Sequence, residues 1–504
     1  MSDRVRINKL PTGIPGLDDV LGGGIPEFSL NLIAGAPGCG KTTLAHQILF
    51  ANASPERKAL YISVLGEPPI KMLRYQQQFS FFDASKIDES VRFLHLGDAA
   101  VTGNLAEVFD SIVREVERSS ASIVVVDSFR AVVRSAPAER DSEPNLQSFM
   151  QKLALHLTSC EATTFLVGEY FEQEKNASNA VFTVADGIIW LYQSMERNSM
   201  VRKLQVAKVR GQEQIPGLHT VRISDRGISV FPRLPRPEEP GEHDVPAINP
   251  LDHRLSTGVT GLDEMLDGGI PAGYSVLVAG PSGAGKTVLS NQFILEGIKR
   301  GEPGVIAVFE KRPNDYLLTT PRGAEFKPLI AAGQLEILYL RPLDLSIDET
   351  MVAIREAVTR IGAKRAVIDS LSGLELALAP TFREDFRESL YRMMGALTAS
   401  GVTIMATVEL ADSYDGLQFS PQGVAFLTDA IVMQRYIEIG GQLRRGMSVV
   451  KIRASGHSKD VQEYEITKDG MRMLADTLQH YDGLLTGSPR LRWAQPQAGS
   501  RETK

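Results

Sequence analysis

The sequence predicts an α/β protein made of two tandem copies of one domain, each a mainly parallel sheet flanked by helices. Gly35-Ala-Pro37-Gly38-Cys39-Gly40-Lys41-Thr42 and Gly280-Pro281-Ser282-Gly283-Ala284-Gly285-Lys286-Thr287 both spell G-x-x-x-x-G-K-[ST], and Lys41 and Lys286 lie 245 positions apart. Around them, Thr12-Gly13, Gly16-Leu17-Asp18 and Gly23-Gly24-Ile25-Pro26 return as Thr257-Gly258, Gly261-Leu262-Asp263 and Gly268-Gly269-Ile270-Pro271 at the same shift. Repetition at one fixed period marks an internal duplication. Short apolar runs alternate with helical segments in both halves, the pattern of buried parallel strands joined by helical crossovers.

The elements follow in order. Ser29–Ala34 reads as the first strand, entering the first glycine-rich loop, and Thr42–Phe50 as the helix that leaves it; Ala59–Val64, Ile123–Val126 and Thr164–Val167 read as further strands. Ser275–Ala279, Val305–Phe309, Ala366–Ile368 and Thr403–Ala406 repeat the series. The prolines and charges of residues 231–246 suit an extended connector, so the domains are placed at 1–245, with the linker from about 232, and 246–490. The polar tail 491–504 is expected to be flexible.

Each glycine-rich loop has the chemistry of a triphosphate cradle. Converging backbone N–H groups hold the anion, which requires glycines that tolerate unusual dihedrals and let phosphate approach closely. The lysine carries charge to the β- and γ-phosphates, and the helix points its positive dipole end at them. The candidate binding set is Gly35, Pro37, Gly38, Gly40, Lys41, Thr42 and Thr43 in the first domain, and Gly280, Ser282, Gly283, Gly285, Lys286, Thr287 and Val288 in the second. Mg²⁺ is assigned to the hydroxyls of Thr42 and Thr287, with an acidic residue at the end of a buried strand: Asp127 and Asp369 fall 86 and 83 positions after the two lysines.

Composition sets limits. A length of 504 residues with 43% hydrophobic content suffices for two cores, and the net charge of −7 argues against bulk nucleic-acid binding. The longest apolar runs are far too short for a bilayer, no export segment opens the chain, and only Cys39 and Cys160 occur, so a cytoplasmic protein without membrane spans is expected. The cations and aromatics of Lys71–Phe82 read as a helix packed on the sheet rather than a nucleic-acid surface. Cys160 has no companion cysteine, and apart from His457 the histidines show no ligand spacing, so no metal besides Mg²⁺ is expected.

The loops, their order and three later strings, Thr428-Asp-Ala-Ile-Val-Met-Gln-Arg-Tyr-Ile-Glu438, Lys451-Ile-Arg453-Ala-Ser455-Gly-His457 and Gly483-Leu-Leu-Thr-Gly-Ser-Pro489, resemble the KaiC family of RecA-type ATPases, whose founding members drive the cyanobacterial circadian clock. The resemblance runs from Leu10 to about Arg490 and implies tandem RecA-like domains that bind ATP at the subunit boundaries of a two-tiered homohexameric ring. It also implies that Lys208 and Arg210, and Lys451 and Arg453, reach the γ-phosphate of a neighbouring subunit; side chains two apart on a strand share a face, so both cations can meet one anion. His457 matches a further family position, for which the first domain has Gln214.

The sequence departs from the family pattern at two places. Clock members carry paired glutamates after the second strand of each domain, whereas here Glu310 is followed by Lys311 and Glu67 stands alone in a shifted context. Glu67 and Glu310 are the candidates for polarising the attacking water, with Lys311 placed to pair with Glu310 and slow the second domain. Ala425 and Phe426 occupy the places of the clock proteins' phosphorylated serine–threonine pair, leaving only Ser420 and Thr428 nearby. The expected function is an ATP-hydrolysing regulatory ring with an unknown signalling partner. A KaiC-type serine/threonine autokinase, a RecA-like nucleic-acid-dependent ATPase and a catalytically weak nucleotide-stabilised scaffold stay open as alternatives.

Overall fold

A computed structural model describes residues 7–64, 69–96, 105–129, 142–171, 180–196, 199–233, 253–340, 345–378, 386–410, 427–475, 478, 480–484 and 489–491. The chain divides into two compact units, Met1–Arg233 and Leu234–Lys504.

The first unit carries strands β1 (Leu30–Gly35), β2 (Ala59–Ser63), β3 (Val91–His95), β4 (Ile123–Asp127), β5 (Thr163–Glu169), β6 (Gly187–Glu196), β7 (Ser199–Val209), β8 (His219–Ser224) and β9 (Gly227–Phe231) in one sheet of order β3-β2-β4-β5-β1-β6-β7-β8-β9. The pairings from β3 through β6 are parallel, and those from β6 to β9 are antiparallel. Helices α1 (Lys41–Asn52), α2 (Leu105–Ser119) and α3 (Ser142–Ser159) belong to this unit.

The second unit repeats the plan with β10 (Ser275–Gly280), β11 (Gly304–Val308), β12 (Leu335–Tyr339), β13 (Arg365–Asp369), β14 (Thr403–Glu409), β15 (Ala430–Ile439), β16 (Gln442–Ile452), β17 (Gln462–Thr467) and β18 (Gly470–Leu474). Their order is β12-β11-β13-β14-β10-β15-β16-β17-β18, the same permutation as in the first sheet. Here α4 (Lys286–Lys299) follows the glycine-rich loop and α5 (Pro313–Thr319) follows β11. Both units are thus RecA-like α/β domains, as the sequence predicts.

Side-chain alternation explains the packing and aims the chemistry. The central strands are apolar on both faces, so successive residues enter different cores. Ile33, Tyr61, Ile123, Val125, Phe165 and Val167 join α1 residues Leu44, Ala45, Ile48 and Leu49 in one cluster, while Leu32, Leu60, Ile62, Val124, Val126 and Leu166 join Val108, Ile112 and Leu153 of α2 and α3 in another. The second unit splits in the same way, with Val278, Ile306, Val308 and Val367 on one side and Leu277, Ala307, Ala366 and Ile368 on the other. By this parity Asp127 shares a face with Ile123 and Val125, and Asp369 with Val367. Each acidic side chain therefore turns toward the helix that follows the glycine-rich loop.

The segment Lys71–Phe82 packs as expected. It begins within the helix Pro69–Gln76, and Phe81 and Phe82 lie against Phe50 of α1 with ring centroids 6.3 and 4.9 Å away. Among the described residues no helix is long and apolar enough to cross a membrane.

Candidate functional site

Both glycine-rich loops bridge the C-terminal end of a central strand and the first turn of a helix. Gly40 and Gly285, at φ 105° and 103°, cap α1 and α4 in the left-handed region. A Cβ at either would lie 2.9 or 2.6 Å from the Cδ1 of Ile223 or Ile466, so conformation and space both demand glycine. Lys41 Nζ donates to the Ala36 carbonyl at 2.8 Å, and Lys286 Nζ to the Gly280 and Pro281 carbonyls at 2.8 Å, which holds each ammonium at its loop. Burial lowers the Lys286 pKa against the opposing charges of Glu409, Asp369 and Glu310. Burial raises the Cys39 pKa, which keeps this loop residue a thiol.

The hydroxyl and the strand-end carboxylate meet in both domains. Thr42 Oγ1 donates to Asp127 Oδ2 at 2.9 Å, and Thr287 Oγ1 to Asp369 Oδ2 at 2.8 Å. Two hard oxygen donors side by side beside a phosphate loop fit Mg²⁺, which binds through one or two protein oxygens, waters and substrate phosphates. The supporting residues differ. In the first domain Tyr61, on β2, donates to Asp127 Oδ2 at 2.6 Å, and burial raises the Asp127 pKa against the hydrogen bonds of Tyr61 and Thr42. In the second domain Thr407 donates to Asp369 Oδ1 at 2.6 Å, and Tyr316, on α5, stands close enough for Asp369 to help burial push the phenol pKa up.

The second-domain cleft is about 440 Å³ and is lined by Ser282, Gly283, Gly285, Lys286, Thr287 and Val288 together with Glu310, Lys311, Asp369, Ser370 and Glu409. Glu310 is exposed at the end of β11 and accepts from Ser370 Oγ at 3.3 Å. Lys311 does not pair with it: its Nζ donates to Thr319 Oγ1 at 3.2 Å, turned away by the start of α5. Glu67, Ser420, Ala425 and Phe426 lie outside the described residues. Thr428 is 1% exposed, and its carbonyl accepts from Lys451 Nζ at 2.7 Å.

The lysine–arginine pairs sit at the other end of the sheet. Arg210 donates to Asp186 at 3.1 Å, and Asp186 in turn is bonded to Leu30, the first residue of β1, whereas the phosphate loop leaves from Gly35. Arg453, Asp429 and Ser275 repeat this chain of contacts, with Arg453 Nη1 3.2 Å from Asp429. Five residues of strand separate each arginine from its own loop by about 16 Å. Lys208 donates to the Phe182 and Thr183 carbonyls, and burial lowers the pKa of both Lys208 and Lys451. His457 Nδ1 lies 2.8 Å from the Ser458 carbonyl, in the same loop region as Arg453.

Glu169 and Glu409 escape the sequence reading. They end β5 and β14 directly beside Gly35 and Gly280, on the face that carries Asp127 and Asp369. The matching strings Thr163-Thr-Phe-Leu-Val-Gly-Glu169 and Thr403-Ile-Met-Ala-Thr-Val-Glu409 are the signal that could have found them.

The model of the KaiC ATPase family matches residues 10–235 and 255–477. The chain belongs to the KaiC ATPase family. Over 96% of its length it is 26% identical to the circadian clock oscillator protein KaiC of Picosynechococcus sp., covering 92% of that protein. It is 25% identical to KaiC of Prochlorococcus marinus, with 97% of each chain covered, and 25% identical to the circadian clock protein KaiC3 of Synechocystis sp., over 96% of this chain and 95% of the relative. Against that common plan, the two KaiC domains of this chain differ beside α1. His46 stacks on Tyr61 at 4.4 Å, where the second domain has Asn291 hydrogen-bonded to Tyr316.

His46 gives the first domain an acid sensitivity that Asn291, at the matching place, does not give the second. Burial lowers its pKa from 6.5 to about 4, and Nδ1 donates to the Thr42 carbonyl at 2.8 Å, so the folded imidazole is neutral. The unfolded chain takes up a proton below pH 6.5 and the native domain only near pH 4, so stability is full above 6.5 and falls through that window. The total loss is about 3 kcal/mol. His46→Asn, copying Asn291, is expected to flatten the pH dependence of the urea midpoint followed by Trp190 fluorescence. An equal drop in the variant and the wild type would contradict this assignment.

Proposed function

We propose that this KaiC-family chain is an ATPase that binds ATP and Mg²⁺ at both glycine-rich loops and hydrolyses ATP within a two-tiered homohexamer. The observation that carries the reading is the repeated Lys–Thr–Asp constellation, with a lysine–arginine pair at the opposite end of each sheet. About 16 Å from its own loop, each pair is suited to the phosphate held by an adjacent subunit. Mg²⁺, held by Thr42 and Asp127 or by Thr287 and Asp369, would neutralise charge developing on the β- and γ-phosphates. Lys41 and Lys286 grip the phosphates, Arg210 and Arg453 stabilise the transferring group in trans, and Glu310 and Glu67 orient water. His457 lies with the second pair.

Transfer to water is favoured over transfer to protein, because Ala425 and Phe426 carry no hydroxyl and Thr428 is buried. The relatives named as clock proteins suggest a signalling role, in which a nucleotide-dependent change of shape alters affinity for a protein partner, and the net charge of −7 argues against nucleic acid as that partner. Incubation with γ-labelled ATP, with free phosphate and protein-bound phosphate measured separately, tests the assignment. The expected result is steady release of free phosphate and no species heavier by a phosphoryl group in the intact mass. Stoichiometric phosphate on Ser420 or Thr428 would instead make the chain an autokinase, and no turnover at all would make it a scaffold.

A further inference from the structure

We propose that the first domain holds a second kind of metal site, for a thiophilic divalent cation of the Zn²⁺ class, formed by Glu117, His156 and Cys160. One ligand atom from each lies within 4.8 Å of the other two, and Glu117 Oε1 and His156 Nε2 are 3.2 Å apart. Ligands around a tetrahedral Zn²⁺ with bonds of about 2.0–2.3 Å stand roughly 3.5 Å from one another, so a small χ rotation of the glutamate or the cysteine closes the site. The spacing has a simple origin. His156 and Cys160 are four residues apart, and Cys160 N–H donates to the His156 carbonyl at 3.1 Å, which carries the turn of α3 forward and puts both side chains on one side. Glu117 comes from the last turn of α2.

Three further observations favour a cation. The site lies at the C-terminal ends of α2 and α3, toward which the negative ends of both helix dipoles point. His156 Nε2 is shielded from solvent without a hydrogen bond, although Glu117 Oε1 stands 3.2 Å away. The ligand set mixes nitrogen, sulfur and carboxylate oxygen, the combination zinc accepts and magnesium does not. Glu117 is 58% exposed at the rim of a cleft that Cys160 also lines, which leaves the fourth position to water. The cluster lies toward the start of β4, near Ile123, while the Mg²⁺ ligand Asp127 ends that strand; four residues separate them by about 13 Å. The cation therefore clips α2 to α3 without entering the nucleotide site, and the proposal does not depend on hydrolysis.

The test is a titration of nucleotide-free, chelator-stripped full-length protein with Co²⁺, followed by displacement with Zn²⁺. The expected result is one Co²⁺ per chain with a thiolate-to-metal charge-transfer band in the near ultraviolet, lost on adding Zn²⁺. Cys160→Ser should abolish the band, His156→Ala should weaken binding by about tenfold or more, and Cys39→Ser should keep the band. A wild-type protein without the band, or a Cys160→Ser protein that retains it, would overturn the proposal. Circular dichroism of Cys160→Ser guards against misfolding as the cause of the loss.

Discussion

Lys286→Ala is expected to weaken ATP binding at the second domain by on the order of 10²-fold or more, and Lys41→Ala to do the same at the first, because each substitution removes the only lysine of its phosphate loop. In the structure both ammonium groups are fixed on loop carbonyls at 2.8 Å, which holds each one at its own loop. Each variant should keep one tight site, the one in its unaltered domain. Equilibrium binding of a fluorescent ATP analogue separates the two steps, and a single variant that keeps both tight steps would remove its loop from the account.

Arg453→Ala and Arg210→Ala are expected to lower turnover by on the order of 10²-fold with little change in nucleotide affinity within the same chain, since a donor aimed at charge that develops only in the transition state acts on rate. The strand register decides where the effect appears. Arg453 is bonded to Asp429 beside the start of β10, whereas Gly280 ends that strand at the loop. Mixing Arg453→Ala chains with Lys286→Ala chains should therefore recover activity at boundaries where an intact loop faces an intact arginine. No recovery on mixing would place the arginine's action within its own chain and contradict the trans role.

Much of this architecture is legible in the sequence because the duplication supplies its own control. The glycines, lysines, threonines and strand-end aspartates recur at matching places, and two-residue alternation along apolar strands then aims Asp127 and Asp369 at the correct helices. What the sequence conceals is support that differs between the copies. Tyr61 reaches its aspartate from β2, while Tyr316 approaches from α5, so no repeat signal links the two phenols. Lys311 directly follows Glu310 in sequence, yet the backbone entering α5 sends it to Thr319. Glu169 and Glu409 were readable from paired strand endings, but a glutamate at such an end resembles a turn residue until the parallel register sets it beside a phosphate loop. The Glu117–His156–Cys160 cluster depends on two helices meeting, which no spacing along the chain reveals.

Whether one chain carries two ATP sites of the same design is decided by counting nucleotide per chain. Full-length protein saturated with ATP and Mg²⁺, separated quickly from free ligand, is predicted to hold two nucleotides per chain. The mass of the particle in solution, recorded with the same sample, should fit six chains and fall when nucleotide is withdrawn, because ligand lodged at the boundaries stabilises the assembly by linkage. One nucleotide or none per chain, in a particle that stays a monomer with ATP and Mg²⁺ present, would contradict the account.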